Sequence, residues 1–459
     1  MRSVLLLVVC ILSLSLHAQK IVWNSFVDYG TRINAKLTSS DGNGNLYVAG
    51  EYEGELLFGS ERKDTAITKF CSPNWHKSYV VRYNSWGKPT MVVQFKSTGS
   101  NSDLTYITAI KALSTGECLI AVDARSHFDF IGPTGIHAKS TKMNQGDNLF
   151  CINADGTLKW SASFNVGNIN VIESAPDGTI YLHGSFGRYY AMDNCLMTLS
   201  ASGTPLDTVR LNGGRIQSMR VTEKEIVVCA LQPATGPWYD RKAPHYFDLQ
   251  NDNFGLFRIN RFTMKAEKLF EISSPMRQGY ERPSPQFFRG EFNSIDGNLF
   301  YDVIIPTEYG ATTFLDKRYT KEEGSVHLIR LNTKGEGVLD RGIMSGSSDV
   351  SLFSLGNGNV AISCTAYGNA FHFGSDSLVL NEYGPYVYET VVMKLDRNFN
   401  KVWWFCAGGA SSNNRHTQVA QGLGGRLFVT SVLMSESEVL GRKQNFRWRG
   451  GMYVMEIAE

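Results

Sequence analysis

One four-part phrase recurs along this chain at intervals of roughly 45–75 residues, a period that points to a radial or stacked repeat architecture. An alternating run opens each copy: "INAKLTSS" from Ile33, "YITAIKALS" from Tyr106, "INVIESAP" from Ile169, "IQSMRVTE" from Ile216, "FFRGEFNSI" from Phe287, "DVSLFSLG" from Asp349 and "HTQVAQGL" from His416. A turn rich in Gly, Asn and Asp follows, then a more apolar run such as "NLYVAG" from Asn45, "EIVVCAL" from Glu225 or "RLFVTSV" from Arg426. The third part is typified by "SYVVRYN" from Ser78 and "VHLIRLN" from Val326, and the fourth, after a tight turn such as "NADGTLKW", by "LKWSASFN" or "KVWWFCAG". Short apolar or alternating runs between such turns are strands.

Counting the parts gives seven first, second and third segments but only six fourth segments behind them, since "MYVMEI" from Met452 has no fourth after it. "KIVWNSFV" from Lys20 has the missing character, and "KVWWFCAG" from Lys401 echoes it. Seven four-stranded sheets arranged radially close if that segment completes the last one. The expected fold is therefore all-β, a seven-bladed β-propeller whose closing blade is shared between the two ends of the chain, which protects sheet edges. A pair of stacked sandwiches is the competing all-β arrangement, but it leaves the split phrase unexplained.

Residues 1–19 read as a secretory signal: Arg2, the apolar run "VLLLVVCILSLSL", then "HAQ". That run is short for a bilayer span, and no later segment approaches the roughly 20 apolar residues a membrane helix needs. Cys10 sits inside it rather than behind a small residue at its end, which argues against a lipid anchor. The domain plan is a signal over 1–19 and one propeller over 20–459, exported to the periplasm, the cell surface or the medium. Losing Arg2 takes the 45 Lys and Arg to 44, against 43 Asp and Glu. So even a balance carries no bulk attraction for nucleic acid.

The segment "SSDGNGNLYVAGEYEGELLFG" (Ser39–Gly59) resembles the β-propeller repeat of bacterial secreted proteins, in which an Asp-Gly-Asn turn precedes a Tyr-Val-x-Gly strand and a later Phe-Gly. "NSIDGNLFYDV" and "GNGNVAISCTAYGNAFHFG" resemble it more loosely, and the "AQ" at the end of the leader is similar to that of exported Bacteroidetes proteins. The resemblance implies fold and export; the repeat brings no catalytic residue with it.

Antiparallel neighbours put the first-to-second and third-to-fourth turns on one rim and the second-to-third and inter-blade connections on the other. Turns on the first rim are tight. The second rim carries long stretches, among them "PTGIHAKSTKMNQGD" from Pro133, "QPATGPWYDRKAPHYFDLQNDN" from Gln232, "PTEYGATTFLDKRYTKEEG" from Pro306 and "RKQNFRWRG" from Arg442. Binding usually resides on long loops held by a rigid scaffold. Candidate ligand-binding residues are Trp75, Trp238, Tyr239, Arg241, His245, Tyr280, Arg282 and Trp448, aromatic and cationic groups suited to stacking on a sugar or anchoring a peptide. Packing within their own loops is the structural alternative.

Chemistry has weaker signals. "SHFDF" (Ser126–Phe130) and "HYFDL" (His245–Leu249) place His near Asp, with His127 and Asp129 able to share a strand face, and His183, His372 and His416 fall in or beside strands. No HExxH, G-x-S-x-G or phosphate-cradling loop appears; a turn role is the simpler reading for these residues. "DGNGN" from Asp41 invites calcium but lacks the further acidic ligands of an EF-hand loop, and a β-turn explains it. Seven Cys outside the leader show no CxxC pair, so no zinc site or other cofactor is expected. Export permits disulfides, and Cys118 with Cys151 is the pair to consider, although buried free thiols are the preferred reading. The Trp residues of the fourth strands, Trp23, Trp160, Trp403 and Trp404, read as packing. The leading function is a protein- or glycan-binding module acting through the long-loop rim; a glycan hydrolase or lyase at the central channel is the alternative.

Overall fold

A computed structural model of the chain describes residues 20–29, 32–33, 35–53, 56–58, 77–97, 105–124, 128–139, 148–164, 166–186, 193–211, 215–231, 253–273, 276–277, 289–307, 311–320, 326–344, 347–367, 370–373, 376–379, 388–408, 417–433, 436–439, 442–445 and 451–458. The expected signal lies outside them. Seven antiparallel four-stranded sheets emerge. Blade 1 is Leu37–Ser40, Leu46–Glu53, Lys77–Tyr83 and Pro89–Ser97. Blade 2 is Thr105–Ala112, Cys118–Ala124, Asn148–Ile152 and Leu158–Ser163. Blade 3 is Val166–Ser174, Ile180–Phe186, Asp193–Leu199 and Pro205–Leu211. Blade 4 is Arg215–Val221, Glu225–Leu231, Asn253–Asn260 and Ala266–Ser273. Blade 5 is Arg289–Ile295, Asn298–Pro306, Val326–Leu331 and Gly337–Met344. Blade 6 is Ser347–Ser354, Val360–Tyr367, Tyr388–Leu395 and Lys401–Gly408.

Blade 7 takes Gln418–Gln421, Leu427–Leu433 and Gly451–Ala458, and its outer strand is Lys20–Tyr29. Lys20 lies opposite Ala458, Phe26 opposite Tyr453 and Asp28 opposite Gly451. The first strands of successive blades lie against one another all the way round, blade 7 meeting blade 1. They therefore line the axis, and the ring excludes stacked sandwiches. The seven-bladed propeller read from the sequence is the fold observed.

The burial pattern follows from this geometry. Second and third strands sit between neighbouring blades and are covered on both faces, which requires nearly continuous apolar runs; Val326–Leu331 is buried at every position. An outer strand has one covered face and alternates, as Leu158–Ser163 does. The core is consequently a set of inter-blade layers, for example Tyr47, Val80 and Val93 of blade 1 against Cys118, Ile120 and Val122 of blade 2.

The tight turns are built to one plan. The first residue's side chain accepts from the backbone of the third and fifth: Asn84 Oδ1 receives the N–H of Trp86 and Lys88, and Asp396 Oδ1 that of Asn398 and Asn400. The fourth residue must adopt positive φ, the role of Gly in a bulged hairpin. Gly203 does so at φ +80° with no room for a Cβ, which would sit 2.6 Å from the Trp160 ring of the preceding blade. Blade 6 puts Phe399 there at φ +58°.

The second-to-third connections correct the sequence reading. Stretches expected to be long loops contain β-strands that fold back onto the outer strand of the preceding blade. Phe128–Gly132 pairs with blade 1's outer strand and with Gly135–Lys139, Leu56–Phe58 pairs with blade 7's, and Glu436–Val439 with blade 6's, backed by Arg442–Asn445. Thr312–Phe314 with Lys317–Tyr319, and Ala370–Phe373 with Asp376–Val379, are hairpins of the same kind. The physical cause is an unpaired outer edge and an aromatic alternation that fits it. Phe128 and Phe130 are buried against Phe95 of blade 1, and Phe371 packs on Trp404.

Candidate functional site

Trp75, Trp238, Tyr239, Arg241, His245, Tyr280, Arg282 and Trp448 lie outside the described residues, as do His127 and His416. The polar groups that the structure does place fall into two sets: those that join blades and those that face the axis.

Arg330, on the third strand of blade 5, heads the first set. Its Nε and Nη2 donate to Asp302 Oδ1 and Oδ2 at 2.6 and 2.8 Å, and Nη2 and Nη1 donate to the Gly358 and Arg397 carbonyls of blade 6 at 2.7 and 2.6 Å. The guanidinium also covers the Phe399 ring at 4.5 Å. Asn293 completes the network, donating to Asp302 and to the Asn359 carbonyl while its oxygen receives the Gly358 N–H. Burial nonetheless leaves the Asp302 carboxyl above its usual range, opposed by Arg330. Arg261 of blade 4 does the same job toward blade 3, holding both Asp177 oxygens and donating to Tyr181 Oη. At the next interface the Trp160 indole donates to the Ala201 carbonyl. Trp160, Trp403 and Trp404 thus pack between or across blades, as expected.

His183 is a core residue. Its Nδ1 donates to the Cys195 carbonyl at 3.0 Å and its Nε2 accepts the Ile216 N–H at 3.1 Å. Burial pushes its pKa down to about 4, so the ring is neutral and joins blade 3 to blade 4. Asp129 lies opposite Lys96 and Lys139 on the outer arm. The "DGNGN" stretch is a turn: Asp41 accepts from the Asn43 and Asn45 backbone and from the Asn45 amide.

Cys118 and Cys151 do stand on neighbouring strands, but a disulfide between them is ruled out by register. Cys118 faces Ile152 and Cys151 faces Leu119, and that one-residue offset sends the thiols to opposite sides of the sheet. Both are buried and free, as are Cys195, Cys229 and Cys364, with half-buried Cys406 also unbonded. Burial raises the Cys118 and Cys364 thiols well above their usual range.

The axial set was not found from sequence, because periodicity does not reveal which first-strand position faces the axis. Registered through the second strand against Cys151, Thr198, Arg258 and Arg330, each two residues before the one that opens the third-to-fourth turn, Lys111, Glu173, Arg220 and Glu291 occupy one level on blades 2 to 5. Phe353, Ala420 and Ser39 continue that level on blades 6, 7 and 1. Their neighbours Ile172, Met219, Leu352 and Val419 are buried between blades, whereas these residues are half-buried or exposed, Phe353 and Ala420 also packing against the inter-blade layers. They form a collar around the channel, charged on one side and apolar or small on the other. Lys111 Nζ pairs with Glu173 at 2.6 Å. At the opposite rim, Lys36 pairs with Glu51 and lies over the Tyr106 ring.

No family model matches the chain, and no curated protein matches it. Solved structures do. An ulvan lyase of a polysaccharide lyase family aligns over 90% of this chain and 93% of its own at 11% identity and TM-score 0.45. The β-propeller domain of the trilobed protease from Pyrococcus furiosus aligns over 84% and 97% at 13% identity and TM-score 0.37. A eukaryotic initiation factor aligns over 94% and 98% at 7% identity and TM-score 0.36. A propeller fold by itself selects no function.

Proposed function

We propose that the chain is an exported, non-enzymatic propeller that holds a protein or glycan partner at the cell envelope through its long-connection rim. The observation that carries this reading is what the described polar side chains do. His183, Arg261, Asp177 and Arg330 are engaged in joining one blade to the next, with Asp302 holding Arg330 in place, a scaffold's use of groups that could otherwise serve acid–base chemistry. The sequence assigns Trp238, Tyr239, Arg241, His245 and the other candidates to the connections of that rim, which run between strands of the blades. Among the described residues no helix is long and apolar enough to cross a membrane, in keeping with export as a free chain.

The test is capture from cell-envelope extract and on a glycan array by the tagged chain lacking residues 1–19. A Trp238→Ala/Arg241→Ala variant that melts like the parent should lose the captured partner. Equal capture by parent and variant would move the site off this rim, and turnover of a polysaccharide by the parent would replace binding with catalysis.

A further inference from the structure

Exposed apolar side chains are not scattered over the propeller. Among the described residues seven large ones stand in solvent, and all seven lie at the tight-turn end. Trp86, Phe262 and Leu423 sit in turns of blades 1, 4 and 7, with 84%, 75% and 54% of their surface exposed. The other four, Leu206 and Val402 among them, occupy the bulge that begins an outer strand, where one residue has none opposite it. The opposite rim differs, since Phe128, Phe130, Phe314 and Phe371 of its arms are buried. Two of the turn residues are neighbours. A Cβ on Gly44 would lie 3.2 Å from that of Ser85, the residue before Trp86, and 3.9 Å from that of Leu423, so turns of blades 1 and 7 meet in one patch. Gly42, Gly424 and Gly425 of the same turns face open space.

We propose that the tight-turn rim is a membrane-docking face that seats on a zwitterionic lipid surface, with Trp86, Leu423 and Phe262 entering the headgroup layer. Aromatic rings are favoured at that depth, and exposed apolar side chains gathered on one face mark a surface that something covers. Blade 4 lies across the ring from the junction of blades 7 and 1, so the three residues support the whole face rather than one edge. The place where the chain enters the ring identifies the covering surface. The apolar run "VLLLVVCILSLSL" ends at Leu16, four residues before Lys20. Lys20 lies opposite Ala458 at the tight-turn end of blade 7, the blade that carries Leu423. Four residues span at most about 14 Å, so with that run in a bilayer the patch of Trp86 and Leu423 is presented to the headgroups. The turns carry both charge signs, Lys88, Lys265 and Lys334 against Asp155, Glu223 and Glu336, which suits a zwitterionic surface better than an anionic one. This face is opposite the rim assigned to the envelope partner, so lipid and partner can be held together and the two readings fail separately.

The test is flotation of the chain from Lys20 onward, which contains every strand of the seven blades, so that the apolar run contributes nothing. It should float with phosphatidylcholine vesicles, and raising the salt to about 0.5 M should change its partition by less than about twofold. Trp86→Ser/Leu423→Ser should lower the partition at least about tenfold, and Phe262→Ser should lower it several-fold. Melting curves confirm that both variants are folded. A parent that does not float, partition undiminished in either variant, or binding that requires phosphatidylglycerol and disappears in salt would each overturn the proposal. Lipid-free self-association in sedimentation, abolished by Trp86→Ser/Leu423→Ser, would also overturn it by assigning the patch to a second copy of the chain.

Discussion

Replacing Arg330 by Met should destabilise the propeller by about 4 kcal/mol. Arg330 and Asp302 side chains are 2% and 0% exposed, and removing one partner of such a pair costs about 3–5 kcal/mol, because the remaining charge stays buried. The structure accounts for that size: among the described residues Asp302 keeps only Asn293 as a side-chain donor, and the Gly358 and Arg397 carbonyls lose charged donors worth roughly 1.5–3 kcal/mol each at most. Protonation of Asp302, whose carboxyl burial already raises, limits the loss. For the roughly 440 residues from Lys20 onward the unfolding entropy is roughly 0.9 kcal/mol/K, so the Tm should fall by about 4–5 °C. Equilibrium urea unfolding followed by Trp fluorescence measures the free energy directly. Arg330→Met/Asp302→Leu removes both charges, and Asn293 still has the Asn359 carbonyl. The double variant should therefore recover most of the loss. A single variant within about 1 kcal/mol of the parent, or a double variant worse than the single, would refute the view that the pair matters through uncompensated buried charge.

Other expectations follow from particular residues. Phe399→Gly relieves about 1 kcal/mol of positive-φ strain but removes a fully buried ring under Arg330, so urea unfolding should show a net loss of about 2–3 kcal/mol. Glu291 binds its proton more tightly folded than unfolded, so stability should fall as pH rises from its ordinary 4.5 to about 8 and level off above; melting curves of Glu291→Gln should lack that slope. Cys118, Cys151, Cys195, Cys229 and Cys364 should resist thiol reagents in the native protein and all react in denaturant, with melting unchanged by reductant, and protection that persists in denaturant would show a bond.

The seven blades of four strands each, their order and the role of Lys20–Tyr29 were legible in the sequence because each depends on local alternation and on counting. The arms were not. "FDF" at Phe128 and "AFHF" at Ala370 alternate as strands do, but they pair with the preceding blade, and a long-range partner leaves no mark on local periodicity. The Cys118–Cys151 pairing failed on a one-residue register that neighbouring strands alone do not specify. Likewise, Lys111, Glu173, Arg220 and Glu291 fall on one level only after register is known, because their spacing in the chain is irregular. Legible in type, if not in position, were the packing Trp residues and the turn at Asp41.

Closure of the ring by its own N-terminal strand is the claim on which blade count, rims and axial collar all depend. Ser25 lies opposite Val454 across that junction, so a Ser25→Cys/Val454→Cys variant tests it by oxidation and mass spectrometry of the peptides. A bond within one chain, absent from either single variant and accompanied by altered mobility in denaturing electrophoresis, is the result the closed ring requires. Failure to bond, or bonds only between chains, would contradict it.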